Sequence, residues 1–116
     1  MSDEAGPNKD ADTNGDGTQS AEEKIQQSID LLNATHSFPC PVMVKVIGRN
    51  DDAFINSVVA AIRDQLELSF DPPIHKREAK GGRHVSVTIE PTFDKAEDVL
   101  QTYDRIRVID GVVMVL

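Results

Sequence analysis

The sequence of this chain predicts an α+β fold, with four strands and two amphipathic helices in the order β-α-β-β-α-β. Apolar and polar residues alternate over residues 42–47 and 84–90, which is typical of half-buried strands. Apolar residues recur at helical spacing over residues 54–66 and 96–106. This order predicts the ferredoxin-like split βαβ fold, in which two helices cover one face of a four-stranded antiparallel sheet.

The front of the chain differs in composition from the rest. Residues 1–36 carry 8 of the 20 acidic residues and 2 of the 12 basic ones, so they hold −6 of the net charge of −8. Residues 1–19 have almost no apolar side chain, and we expect an acidic, disordered tail there. Residues 20–36 form a predicted extra N-terminal helix and linker, which begins with a capping box of Ser20 and Glu23. The ferredoxin-like domain is expected over residues 37–116.

The first strand and first helix of that domain follow a proline-rich start. Prolines 39 and 41 exclude helix, and the strand then runs to Gly48. Cys40, the only cysteine, is interpreted as a small buried apolar residue. Asn50 or Asp51 caps the first helix, which ends ahead of Pro72.

The second half of the domain contains a hairpin, a helix and a last strand. A polar second strand over residues 74–80 meets the third strand through a two-residue turn at residues 81–82. Pro91 ends the third strand, and Asp94 with Glu97 caps the second helix. We expect the first and third strands in the centre of the sheet, and the second and fourth at its edges.

Composition and patterning exclude several classes of function. The acidic balance argues against nucleic-acid binding, and the predicted open sheet face lacks the aromatic residues on which RNA bases stack. No apolar run approaches the roughly 20 residues that span a bilayer. The N-terminal residues show no basic segment followed by an apolar core, so we expect no signal peptide. With its single cysteine, the protein is expected in the cytoplasm. No cofactor pattern is present, and the three histidines lack zinc spacing.

A calcium-loop pattern runs from Asp12 to Glu23. Asp12, Asn14, Asp16 and Glu23 supply oxygen ligands in the right order, but no helical pattern precedes them and no second loop accompanies them. We therefore interpret the segment as an acidic linker with a helix cap and expect no metal site.

Basic residues crowd the predicted hairpin. They allow an anion-binding patch, but we favour charges that guard an edge strand against pairing. The residues are His75, Lys76, Arg77, Lys80, Arg83 and His84.

A loop before the first helix is the candidate small-ligand site. Helix N-termini attract anions, yet the two aspartates there disfavour phosphate and leave room for an ammonium group whose carboxylate pairs with the arginine. The alternative is that the aspartates only cap the helix. The candidate residues are Gly48, Arg49, Asn50, Asp51 and Asp52.

The terminal strand is the candidate partner-binding site. It is apolar and has no Lys or Pro to guard it, which favours pairing with a second copy or with a partner strand. The N-terminal helix is an alternative cover for this edge. The candidate residues are Val112, Val113, Met114, Val115 and Leu116, with alternate residues facing opposite ways.

Several short blocks resemble one family. Phe38-Pro39-Cys40, Lys45 to Gly48, Gly81 to Thr88 and Gly111 to Leu116 occur in the order found in the YbeD-like small bacterial family of unknown function. The resemblance covers about residues 31–116 and implies the same ferredoxin-like fold. That family is in turn similar to ACT domains, which bind amino acids and regulate metabolic enzymes.

These observations lead to two functional hypotheses. The first is a non-enzymatic regulatory or protein-interaction module, with ACT-like sensing of a small ligand as one form of it. The alternative is a small acylphosphatase-type hydrolase, for which Arg49 would bind phosphate and Asn50 would position water. No glycine-rich loop surrounds that pair, and a shared fold alone does not give a function.

Overall fold

The structure, a computed structural model, describes residues 20–116. The described chain divides into two compact units, one ending at Thr35 and the other running from His36 to Leu116. The first unit contains helix α1. The second contains six strands and two helices. In chain order the elements are α1 (Ala21–Thr35), β1 (Cys40–Pro41), β2 (Val44–Arg49), α2 (Asp52–Gln65), β3 (His75–Glu78), β4 (His84–Ile89), β5 (Thr92–Phe93), α3 (Ala96–Arg107) and β6 (Val112–Val115).

The main sheet has four antiparallel strands in the order β3-β4-β2-β6. The two alternating strands, β2 and β4, lie in the centre with Val46 opposite Val87. The polar β3 and the terminal β6 are the edges. The predicted ferredoxin-like fold and the placement of its strands are therefore confirmed.

Helices α2 and α3 cover one face of this sheet. Val44, Val46, Val85 and Val87 on the central strands are buried, because they alternate with the residues of the other face. The helices contribute their apolar stripes to the same core, with Phe54, Val58, Ile62, Val99 and Ile106 all buried. The opposite face, which we call the open face, carries Lys45 and Ile47 of β2, Ser86 and Thr88 of β4, His75 and Arg77 of β3, and Met114 of β6.

A second, two-stranded sheet lies at one end of the domain. Cys40 pairs with Phe93 and Pro41 with Thr92. The chain after Pro91 therefore forms the short strand β5, where the sequence had predicted only the end of a strand. Cys40 is half-buried there, which differs from the full burial predicted for it.

Two local predictions are corrected. The hairpin turn is longer than two residues, because Ala79 N bonds the carbonyl oxygen of His84 and closes a loop over residues 79–84. Gly81 and Gly82 both adopt positive φ inside it. Helix α3 is capped by Lys95 without a side-chain hydrogen bond, so Asp94 is not its cap.

Helix α1 begins with the predicted capping box. Ser20 N donates to Glu23 Oε1 over 2.9 Å, and Glu23 N donates to Ser20 Oγ over 3.1 Å. The tail predicted to be disordered and most of the calcium-loop pattern fall within residues 1–19, which lie outside the described residues. The proposed division at residues 19 and 36 stays a prediction.

Candidate functional site

Strand β6 leaves one side of its backbone facing away from the sheet. Lys45 and Leu116 exchange both backbone hydrogen bonds, at 3.5 and 2.8 Å, so they form a hydrogen-bonded pair. In an antiparallel ladder such pairs alternate with pairs that do not bond each other. Val115, opposite Val46, is the next residue, and its N–H and C=O therefore point outward from the edge.

A β-bulge changes which side chains of β6 share a face. Gly48 is opposite Val112 and Ile47 opposite Met114, so Val113 is one residue too many for β2. The predicted strict alternation is wrong for this reason: Val112 lies on the helix side, as does Val115. The exposed fractions are 61% for Val113, 49% for Met114 and 56% for Leu116.

A groove follows the β6 edge. It encloses about 410 Å³ and is lined by β6 itself and by Arg107 at the end of α3. The strand offers outward backbone groups beside a groove that an extended chain can occupy.

The other edge of the sheet has different chemistry. Strand β3 reads His-Lys-Arg-Glu, and all four residues are exposed. Ala79, the residue after Glu78, donates its N–H toward β4, to the carbonyl oxygen of His84. Because inward and outward residues alternate along an edge strand, the outward backbone groups of β3 belong to Lys76 and Glu78. Charged side chains therefore accompany the only amides that an incoming strand would use on β3.

Residues 48–52, the predicted ligand loop, are occupied by internal contacts. The Arg49 guanidinium pairs with Asp51 and, over 3.0 Å, with Oδ2 of Asp110. Asp51 Oδ1 accepts a hydrogen bond from Phe54 N over 2.7 Å and so caps α2. The Phe54 amide and the Arg49 guanidinium lower the pKa of Asp51, and hydrogen bonds to Asp110 and Asp51 raise the pKa of Arg49.

The next residue of the loop is also engaged. Asn50 Nδ2 donates to Glu78 Oε2 and to the carbonyl oxygen of Gly82, both over 2.9 Å. These bonds hold the β3–β4 hairpin against the start of α2. An acylphosphatase-type reaction would need both Arg49 and Asn50 to release these partners. Asp52 lies on the first turn of α2 and takes no part in the contacts of Arg49 and Asn50 described above.

The two predicted sites are neighbours in space. Gly48 pairs with Val112, and Arg49 N donates to the carbonyl oxygen of Gly111 over 2.9 Å. The sequence did not point to Asp110 as the second carboxylate on Arg49, because only the pairing of β2 with β6 brings it there. Ligand binding by residues 48–52 stays a prediction.

Among residues 20–116, no three His, Cys, Asp or Glu side chains are grouped so that they could hold a metal ion. In the same range, no helix combines the length and the apolarity that crossing a membrane requires.

Comparison with known proteins finds one family. The model of the family described as "Protein of unknown function (DUF493)" matches residues 33–116. A UPF0250 protein of Sodalis glossinidius is 34% identical over 85 residues, which are 73% of this chain and 95% of the relative. A UPF0250 protein of Yersinia enterocolitica is 32% identical over the same shares. The predicted resemblance to a small bacterial family of unknown function is confirmed.

One solved structure supports the fold described above, and a second shows a more distant similarity. The solution structure of protein HP0495 from H. pylori has a TM-score of 0.52 at 18% identity, and covers 70% of this chain and 85% of that one. The ACT domain of the GTP pyrophosphokinase of Chlorobium tepidum has a TM-score of 0.47 at 14% identity, and covers 66% and 97%.

Proposed function

The chain belongs to the DUF493 family, whose function is unknown, and from that premise we propose that its folded unit is a non-enzymatic protein-interaction module that works by strand addition at β6. We also propose that the protein acts in the cytoplasm, because a single cysteine is compatible with a reducing compartment.

One observation carries this proposal: β6 is an edge strand without a charged residue. Its outward backbone groups at Val115 have no hydrogen-bond partner within residues 36–116, and three apolar side chains beside them are about half exposed. Adding a strand would satisfy those backbone groups and remove Val113, Met114 and Leu116 from water.

We propose a second copy of this chain as the occupant of the edge. An antiparallel edge strand can pair with itself about a twofold axis, because each copy then offers the same surface. Electrostatic repulsion between copies is small at this edge, since residues 111–116 carry no charged side chain and residues 37–116 have a net charge of only −2 (10 basic and 12 acidic residues).

Two other hypotheses receive less support. Ligand sensing by residues 48–52 requires a ligand to replace the Arg49 ion pairs and the Asn50 hydrogen bonds already present. The hydrolase alternative has the same requirement. We therefore favour strand addition at β6 over both of these hypotheses.

Sedimentation velocity of the full chain tests the proposal with two matched variants. Val115→Pro removes one outward amide of β6, whereas Lys76→Pro removes one outward amide of β3, and neither amide bonds a neighbouring strand. We expect wild type and Lys76→Pro to form dimers as concentration rises, and Val115→Pro to stay monomeric. Monomeric wild type at every concentration would contradict self-association, and equal dimerisation of all three chains would contradict the choice of edge.

A further inference from the structure

The open face carries two adjoining depressions of opposite character. One encloses about 380 Å³ and is lined by Lys45, His75, Arg77, Ser86 and Thr88 of the open face, together with Lys76, which by register belongs to the other face. The other encloses about 430 Å³ and is mainly apolar. His75 and Thr88 line both, so the two depressions are continuous.

Strand register places Lys45, Arg77 and the His75 imidazole around the two hydroxyls. His75 is opposite Thr88, which is opposite Lys45, so one row crosses three strands. Arg77 is opposite Ser86 in the adjacent row. Neighbouring strands lie about 4.8 Å apart, which puts the backbones of Lys45 and His75 about 10 Å apart across Thr88.

The lining of this cationic depression contains no carboxylate. Within the described residues, neither Lys45 nor Arg77 takes part in an ion pair, although Arg49, Arg63 and Arg107 do. Charges that guard an edge explain His75 and Arg77 on β3, but they leave Lys45 unexplained, because β2 is a central strand.

The apolar depression begins where the cationic one ends. Met43, which is 56% exposed, Pro73 and Ile74 line it together with the buried Pro72 and Pro91. Its one acidic lining residue is Glu90. A ligand with negative charge at this end would meet that carboxylate, so the depression suits an uncharged, apolar group.

We propose that the open face binds a small organic anion with an apolar body and a single anionic head. The head lies between Lys45 and Arg77, where it accepts hydrogen bonds from cations and from the hydroxyls of Ser86 and Thr88. The body lies against Met43 and Ile74. This site is separate from the β6 edge and does not depend on strand addition there.

Anilinonaphthalene sulfonate, an aromatic body with one sulfonate, is the probe for this site. Its fluorescence titration measures affinity, and amide chemical shifts of the full chain locate the bound probe. We expect shifts at Lys45, Ile74, His75 and Thr88. The double variant Lys45→Gln with Arg77→Gln should weaken binding about tenfold, because two charge-assisted contacts are lost.

Three controls make the result decisive. Lys95→Gln, which lies in a different depression beside α3, should bind as wild type does. Phenylnaphthylamine, a similar aromatic body without the sulfonate, should bind equally to wild type and to the double variant. The third control is the amide spectrum of each variant, which should show an intact fold because the substituted side chains are exposed.

Two outcomes would overturn the proposal. The first is that wild type does not bind the sulfonate probe, or that the double variant binds it as tightly as wild type. The second is that the chemical shifts cluster at residues 112–116, which would assign the probe to the exposed apolar side chains of β6.

Discussion

The two edges of the main sheet have the same length and opposite chemistry. Strands β3 and β6 each span four residues, and each pairs with one central strand. β3 presents four exposed polar side chains, three of them basic or imidazole groups, whereas β6 presents only valine and methionine. A short edge is therefore not protected by its length alone. The side chains beside the outward amides determine whether a second strand can approach.

The largest effect is expected from the glycine that supports β6. A Cβ on Gly48 would overlap the ring of Phe54, which is only 1% exposed and cannot move without disturbing the core. Gly48→Val should lower the free energy of unfolding by about 3 kcal/mol in urea denaturation. Because Gly48 pairs with Val112, hydrogen exchange should rise at β6 more than at β3.

A matched glycine provides the control for that variant. Gly82 has φ +72°, a Cβ added there would meet no atom within 4 Å, and Asn tolerates this conformation. Gly82→Asn should therefore unfold near the wild-type urea concentration. An unfolding midpoint for Gly48→Val equal to that of wild type would contradict the packing described here.

The next effect is expected from a charge placed on β6. Val113 is 61% exposed, so Val113→Lys should change the stability by no more than about 0.5 kcal/mol. It should weaken self-association at least about tenfold in sedimentation equilibrium, because two like charges would meet at the paired edges. Val108→Lys, the same exchange at an 83% exposed position after α3, should associate as wild type does. Equal weakening by both variants would show that the effect of the lysine is not specific to the β6 edge.

A smaller effect is expected when the charges are removed from β3. Lys76→Val with Arg77→Val removes two of the three formally charged side chains of this edge and leaves His75 and Glu78, and should add a second, weaker mode of association. Combining these exchanges with Val115→Pro isolates the new mode, since the β6 contact is then blocked. Light scattering that shows the triple variant to be strictly monomeric would indicate that Lys76 and Arg77 are not what keeps β3 unpaired.

The smallest effect concerns the helix cap beside β6. The folded-state pKa of Asp51 is lowered from its ordinary value of 3.8, so the folded state binds fewer protons than the unfolded state there. The stabilisation is therefore present above pH 3.8 and is lost as the pH falls through the lowered folded-state pKa. Asn keeps the hydrogen bond to Phe54 N but does not titrate. Asp51→Asn should flatten the decline of melting temperature below pH 3.8, and an unchanged decline would contradict this role.

The strand order and both edges could be predicted from the sequence because each depends on local patterns. Alternation identified β2 and β4 as central, and the polar run of β3 identified it as an edge. The bulge at Val113 could not be predicted, since it arises only where β6 is fitted to β2. The Arg49–Asp110 ion pair and the two depressions of the open face depend in the same way on residues that are distant in sequence.

Hydrogen exchange at two backbone amides tests the central claim most directly. The amides of Val115 and Lys76 both point outward, one from each edge of the same sheet. Both amides are measured in the same sample of the full chain, and the measurement is repeated over a range of protein concentrations. Exchange at Val115 should slow as the concentration rises, while exchange at Lys76 stays constant. If exchange at Val115 is independent of concentration, or if Lys76 slows to the same extent, β6 is not the edge through which this protein associates.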